Sequence, residues 1–159
     1  MPATKTSPKR TIAAAKRAKV WTPEEQAAMQ TAARERKAAA RRDPAAAREE
    51  GERDVLAKIS EMADADRIMA ERIHALVTAT APNLVPRTFY GMPAYAKEGQ
   101  KVLCFFKPAA TYKERYATFG FQDSAHLDDG AMWPTSWALR ELTPAAEAQI
   151  AALVKKAAR

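Results

Sequence analysis

Phe89-Tyr90-Gly91-Met92-Pro93-Ala94-Tyr95 sits where the hydrophobic pattern of the chain changes period. Upstream, Ile68, Met69, Ile73, Leu76 and Val77 recur at the spacing of one buried helical face. Downstream, Lys101-Val102-Leu103-Cys104-Phe105-Phe106-Lys107 reads as a buried strand. Arg115-Tyr116-Ala117-Thr118-Phe119-Gly120-Phe121 reads as a second strand, with aromatic and polar residues alternating. At the junction, Gly91 offers a backbone conformation that other residues disfavour, and Pro93 stiffens the entry to the hairpin. Lys97-Glu98-Gly99-Gln100 has the chemistry of a turn, so a strand over 93–96 is expected to pair with the Lys101 strand in an antiparallel hairpin. The stretch therefore marks a corner between a helical half and a sheet.

Toward the N-terminus, the helix bearing Ile73 and Val77 is expected to end at Pro82 and to begin at Asp64, whose carboxylate can cap it. An earlier helical stretch over 45–61 carries Val55, Leu56, Ile59 and Met62 only at its C-terminal end, so core packing should start there, with Gly51 interrupting the helix. Before it, Thr22-Pro23-Glu24-Glu25 is a helix start: Thr22 caps, Pro23 takes the first helical position, and Glu25 completes a capping box. That first helix should run to about residue 42. Only Trp21 and Met29 give it bulk, which predicts a loosely attached or solvated arm. Residues 1–20 are rich in Ala, Lys, Thr and Pro and poor in large apolar side chains, the composition of a disordered tail.

Toward the C-terminus, residues 123–134 read as loop with one helical turn, and residues 137–142 as a further strand. Thr143-Pro144 opens a last helix whose Ala146, Ile150, Leu153, Val154 and Ala157 form one stripe. Helices, then strands, then a helix define an α+β fold, an antiparallel sheet of about four to five strands packed against helices. The expected division is a tail at 1–20, an Ala/Arg-rich helical arm at 21–53 and an α+β domain at 54–159.

The chain of 159 residues has a formal charge of +7. Residues 1–53 hold 13 Lys or Arg against 7 Asp or Glu, a net of 13 − 7 = +6, so the charge belongs to the N-terminal part. Nucleic acid is thus a candidate partner only through the tail, where Lys9, Arg10, Lys16, Arg17 and Lys19 can neutralise phosphates without reading sequence. Cys104 is the single cysteine, which excludes an intramolecular disulfide and suits a reducing, cytoplasmic setting. No apolar run approaches the roughly 20 residues of a membrane-spanning helix, so no membrane partner is expected.

Two sets of residues carry candidate chemistry. Tyr90, Gly91, Met92, Pro93 and Tyr95, with Trp133 and Trp137, can line a pocket for a small ligand or peptide if the loop before Trp133 folds over the corner. The competing reading makes the same residues a folding device, with Gly91 and Pro93 shaping the turn and the tyrosines closing the core. His126, Asp128 and Asp129 place one imidazole and two carboxylates within four residues, a set chemically able to hold iron, manganese or magnesium. Their spacing matches no closed metal motif, and adjacent aspartates also cap turns. His74 beside Ile73 reads as a hydrogen-bonded core histidine, and Cys104 as a buried small hydrophobe. Ser124 and Ser136 lack a nucleophile-elbow context, which favours binding over catalysis. An enzyme using His126 as base, oriented by Asp128 or Asp129, remains a separate alternative.

Tyr90-Gly91-Met92-Pro93-Ala94-Tyr95, then Val102 to Phe106, then Tyr116-Ala117-Thr118-Phe119-Gly120-Phe121, resembles the YdhG-like family of small bacterial domains of unknown function. Leu127-Asp128-Asp129-Gly130-Ala131-Met132-Trp133-Pro134 and the closing Leu142-Thr143-Pro144 helix extend the resemblance over about residues 54–158. It implies a compact α+β domain with an antiparallel sheet on helices and no established enzymatic activity. For at least one relative a frataxin-like role as an intracellular iron chaperone is proposed, and the resemblance makes iron the cofactor to expect here. The long basic arm departs from the family's minimal domain, and the near-neutral 54–159 segment departs from an acidic, frataxin-style metal surface.

Overall fold

The computed structural model describes residues 21–41 and 43–159. The basic tail, with Lys9, Arg10, Lys16, Arg17 and Lys19, lies outside the described residues. Three helices precede the sheet: α1 (Pro23–Arg41), α2 (Pro44–Ser60) and α3 (Asp64–Thr80). Strands β1 (Leu84–Phe89), β2 (Met92–Lys97), β3 (Val102–Lys107), β4 (Ala117–Phe121) and β5 (Ser136–Leu139) come next, and α4 (Pro144–Ala157) closes the chain. The strands lie in sequence order and every pair is antiparallel, a five-stranded meander. The α+β expectation is met.

Side-chain parity assigns the two faces of this sheet. Tyr95 and Cys104 are opposite each other across β2 and β3, Cys104 faces Phe121 across β3 and β4, and Phe106 faces Phe119. These residues share one core with Val55 and Ile59 of α2, Ile73 and Val77 of α3, and Ile150 and Val154 of α4. The helices therefore form a layer on that face. Asp66, buried in α3, accepts a hydrogen bond from the Ala110 N–H at 3.0 Å and ties the layer to the loop after β3. Arg72 of α3 pairs with Glu147 of α4 at 2.6 Å. Thr143 caps α4 through the Ala146 N–H at 3.1 Å, with Pro144 in the first turn, as its sequence predicts.

The seven-residue stretch is itself a hairpin. Phe89 pairs with Met92, leaving Tyr90 and Gly91 as a two-residue turn with φ of 52° and 77°. Positive φ at both central positions is what a type I′ turn demands, and its twist matches that of the flanking strands. Gly91→Ala should cost about 1–2 kcal/mol, since a Cβ in the left-handed region meets the next carbonyl. A denaturant titration with an unchanged midpoint would show that the turn relaxes instead.

Several expectations need correction. β1 was not expected; it carries Pro86 on the outer strand of the sheet, where a missing N–H is tolerated. Gly51 does not interrupt α2, which runs unbroken through it. Asp64 does not cap α3: Ala63 holds the cap position without a side-chain bond, and Asp64 is the first helical residue, paired with Arg67. Residues 122–135 contain turns and no helical turn, and β5 spans Ser136–Leu139 rather than 137–142.

α1 begins with the expected capping box: the Glu25 N–H donates to Thr22 Oγ1 at 3.1 Å and the Thr22 N–H to Glu25 Oε2 at 2.8 Å. Its attachment is slight, in keeping with the expected loose arm. Trp21 and Met29 remain 53% and 37% exposed, while Ala32 is buried and polar contacts hold the helix. Glu35 accepts the Gly91 N–H at 3.0 Å, and Glu24 pairs with Lys113.

Candidate functional site

The tip of the β1–β2 hairpin is where α1, the sheet and the loop after β3 converge. A type I′ turn leaves backbone groups of its central residues outside the strand ladder, and here two side chains take them up. Glu35 binds the Gly91 N–H, and the Tyr112 hydroxyl donates to the Tyr90 carbonyl at 3.0 Å. Burial pushes the Tyr112 hydroxyl above its usual range, with the carboxylates of Glu35 and Glu114 acting in the same direction. Tyr90 also meets Phe89 edge to face, the ring centroids 4.6 Å apart, and Phe89 leans on Phe105 at 5.9 Å. The left-handed Tyr90 is thus held by contacts on both sides.

Two clefts open beside α1. The first, of about 250 Å³, has Phe89 and Tyr90 as an aromatic wall and Arg36, Arg87, Lys101, Glu35, Gln122 and Asp123 among its polar lining. Arg87 and Phe89 have the opposite parity to the core-facing Pro86, which turns them toward this cleft. Arg36 donates from Nε to the Ala32 carbonyl at 3.3 Å, within its own helix. Among the described residues, neither Arg36, Arg87 nor Lys101 makes an ion pair. Glu35, in contrast, is engaged by the hairpin amide. The second cleft, about 320 Å³, lies where α1 meets the end of α2, with Tyr90, Gly91, Thr31, Met62 and Tyr112 in its wall.

Trp133 belongs to a third cleft of about 500 Å³, together with Phe121, Leu127, Asp128 and the 88% exposed Met132. Tyr90 and Trp133 line different ones of these three clefts. Met92, Pro93 and Tyr95 are buried within the protein. Trp137 packs edge to face on Phe121 at 5.7 Å against the core. The expected aromatic set is therefore divided: Tyr90 and Gly91 at clefts beside α1, Trp133 in another, and the rest in packing roles.

The expected metal set does not assemble. Among the described residues, no three His, Cys, Asp or Glu side chains are placed to hold a metal ion, so His126, Asp128 and Asp129 do not form one group. The local backbone explains this. The His126 N–H donates to the Ala157 carbonyl at 3.1 Å, Leu127 inserts into the core, and the side chains on either side of it remain in solvent. These residues do not fit a resident iron.

Beneath the hairpin lies a buried polar chain that the sequence only partly foretold. His74 Nδ1 is 2.9 Å from the Tyr95 hydroxyl, and its Nε2 is 3.3 Å from Glu52 Oε1. His74 is the hydrogen-bonded core histidine expected, with partners on β2 and α2. Burial raises the Tyr95 hydroxyl far above its usual range, and the neighbouring Cys104 and Glu52 add to this. Cys104, fully buried, is raised by desolvation alone, so its thiol stays protonated and unreactive.

Sequence reasoning passed over Arg36, Arg87, Lys101, Gln122 and Asp123. They come from α1, β1, the start of β3 and the end of β4, so no fixed spacing links them. Among the described residues no helix is long and apolar enough to cross a membrane. No family model, curated protein or solved structure matches the chain.

Proposed function

We propose that this chain is a non-enzymatic binding domain of the YdhG-like kind that holds a small organic or inorganic anion in the cleft between α1 and the β1–β2 hairpin. The observation that carries this reading is the trio Arg36, Arg87 and Lys101, three cations on one concave surface that make no ion pair among the described residues. Guanidinium groups recognise carboxylate and phosphate through paired N–H donors. The aromatic wall of Phe89 and Tyr90 adds contact area at little entropic cost. Iron handling is left out, because His126, Asp128 and Asp129 stand apart.

Calorimetric titration with inorganic phosphate and with citrate at low ionic strength tests the reading. Saturable binding that weakens with added salt is expected. Arg87→Gln combined with Lys101→Gln should lower the affinity by about tenfold or more, since a hydrogen bond to a charged group contributes about 1.5–3 kcal/mol. Absence of saturable binding for both anions, or affinities indifferent to the double substitution, would remove the anion reading.

A further inference from the structure

We infer that the ligand of this cleft is a phosphate carrying a purine or pyrimidine ring, as in a mononucleotide or the end of a single strand. The inference rests on the anion-binding reading above and adds what the remaining walls contribute. The cations account for a negative group but leave Gln122 and Asp123 without a role, and Phe89 and Tyr90 with no more than contact area. Phe89 and Tyr90 are half-buried and line the cleft directly, an apolar surface on which a planar ring can stack. Gln122 both donates and accepts, and Asp123 accepts only, so together they suit exocyclic amines and ribose hydroxyls. A plain phosphate would find the Asp123 carboxylate repulsive; a ligand that carries hydrogen-bond donors as well as a negative group uses both kinds of lining. The cleft, at about 250 Å³, is small by the standard of ligand sites and suits one nucleotide unit rather than a dinucleotide cofactor.

AMP, adenosine and inorganic phosphate, titrated separately into the full chain, test this. AMP is expected to bind about tenfold or more tightly than phosphate and than adenosine, because it alone meets the cations, the aromatic wall and the Gln122 and Asp123 side chains together. Tyr90→Asn removes the ring while keeping a residue that tolerates the left-handed turn; it should erase the margin of AMP over phosphate with the thermal midpoint preserved. Arg87→Gln with Lys101→Gln should lower the affinities for AMP and phosphate by the same factor. A 5′-phosphorylated oligoadenylate that binds more tightly than AMP, by a margin lost in Tyr90→Asn, identifies a strand end as the source, and equal affinities identify the free mononucleotide; either supports the inference. Phosphate binding as tightly as AMP overturns it while leaving the anion reading intact. No binding of AMP, phosphate or citrate overturns both.

Discussion

Gly51→Ala is expected to lower stability by about 3 kcal/mol, and Gly51→Leu to leave no folded protein. A Cβ on Gly51 would stand 2.0 Å from the Pro86 carbonyl oxygen and 3.1 Å from its carbon. The obstacle is backbone of a strand fixed by pairing with β2, so it cannot swing aside as a side-chain end can. Overpacking of this kind costs about 1–3 kcal/mol and sometimes more, and this contact is far inside van der Waals distance. The sign makes the test sharp. In an ordinary helix interior, alanine in place of glycine would stabilise by about 1 kcal/mol. A thermal midpoint that falls by roughly 6–12 °C would match the contact, whereas one that rises would show that α2 and β1 are not so close.

Tyr95→Phe is expected to cost about 2 kcal/mol at neutral pH, more than the loss of an exposed hydroxyl, because it strands His74 Nδ1 in the interior. The same region should make the protein sensitive to base. The thiol of Cys104 titrates near 9.0 in the unfolded chain and the Tyr95 hydroxyl near 10.0, and burial raises both in the folded state. Between each unfolded value and the higher folded one, the unfolded chain has released a proton that the folded protein keeps. Stability is therefore complete below pH 9 and falls as pH rises above it. Each group contributes a slope approaching about 1.4 kcal/mol per pH unit. Denaturant midpoints measured from pH 7 to about pH 11 should show Cys104→Ala lacking the first part of that decline and Tyr95→Phe the second. Slopes identical to the parent chain in both variants would mean that neither group is shielded in the folded state.

What could be read from the chain depended on the range of the signal. The Thr22 capping box, the Thr143 cap and the stripe of Ile150, Val154 and Ala157 are local patterns, and they reappear in the structure. The hairpin from β2 to β3 was readable from Gly99 and the apolar run after it. β1 was not, because Pro86 mimics a loop unless the strand is known to be outermost. Gly51 read as an interruption, since nothing in its own neighbourhood reveals a strand 35 residues away pressing on it. The fingerprint Phe89–Tyr95 was legible as architecture. Its site role was not, because Glu35 reaches Gly91 across 56 residues and the cations come together only through folding.

The sequential strand order has a consequence for synthesis. In this meander each strand pairs with the one made just before it, so every pairing is between neighbours in sequence and the entropy of closing the connections is modest. Hydrogen-bonded ribbon can thus accumulate as the chain emerges. The helical layer on that ribbon has a different timetable: Ile150, Val154 and Ala157 belong to the same core as Phe106 and Phe119, yet they are made after all five strands. Until they arrive, the aromatic face of the sheet lacks its last cover. The interval between completion of β5 and arrival of α4 is when a nascent chain of this protein most needs protection from aggregation.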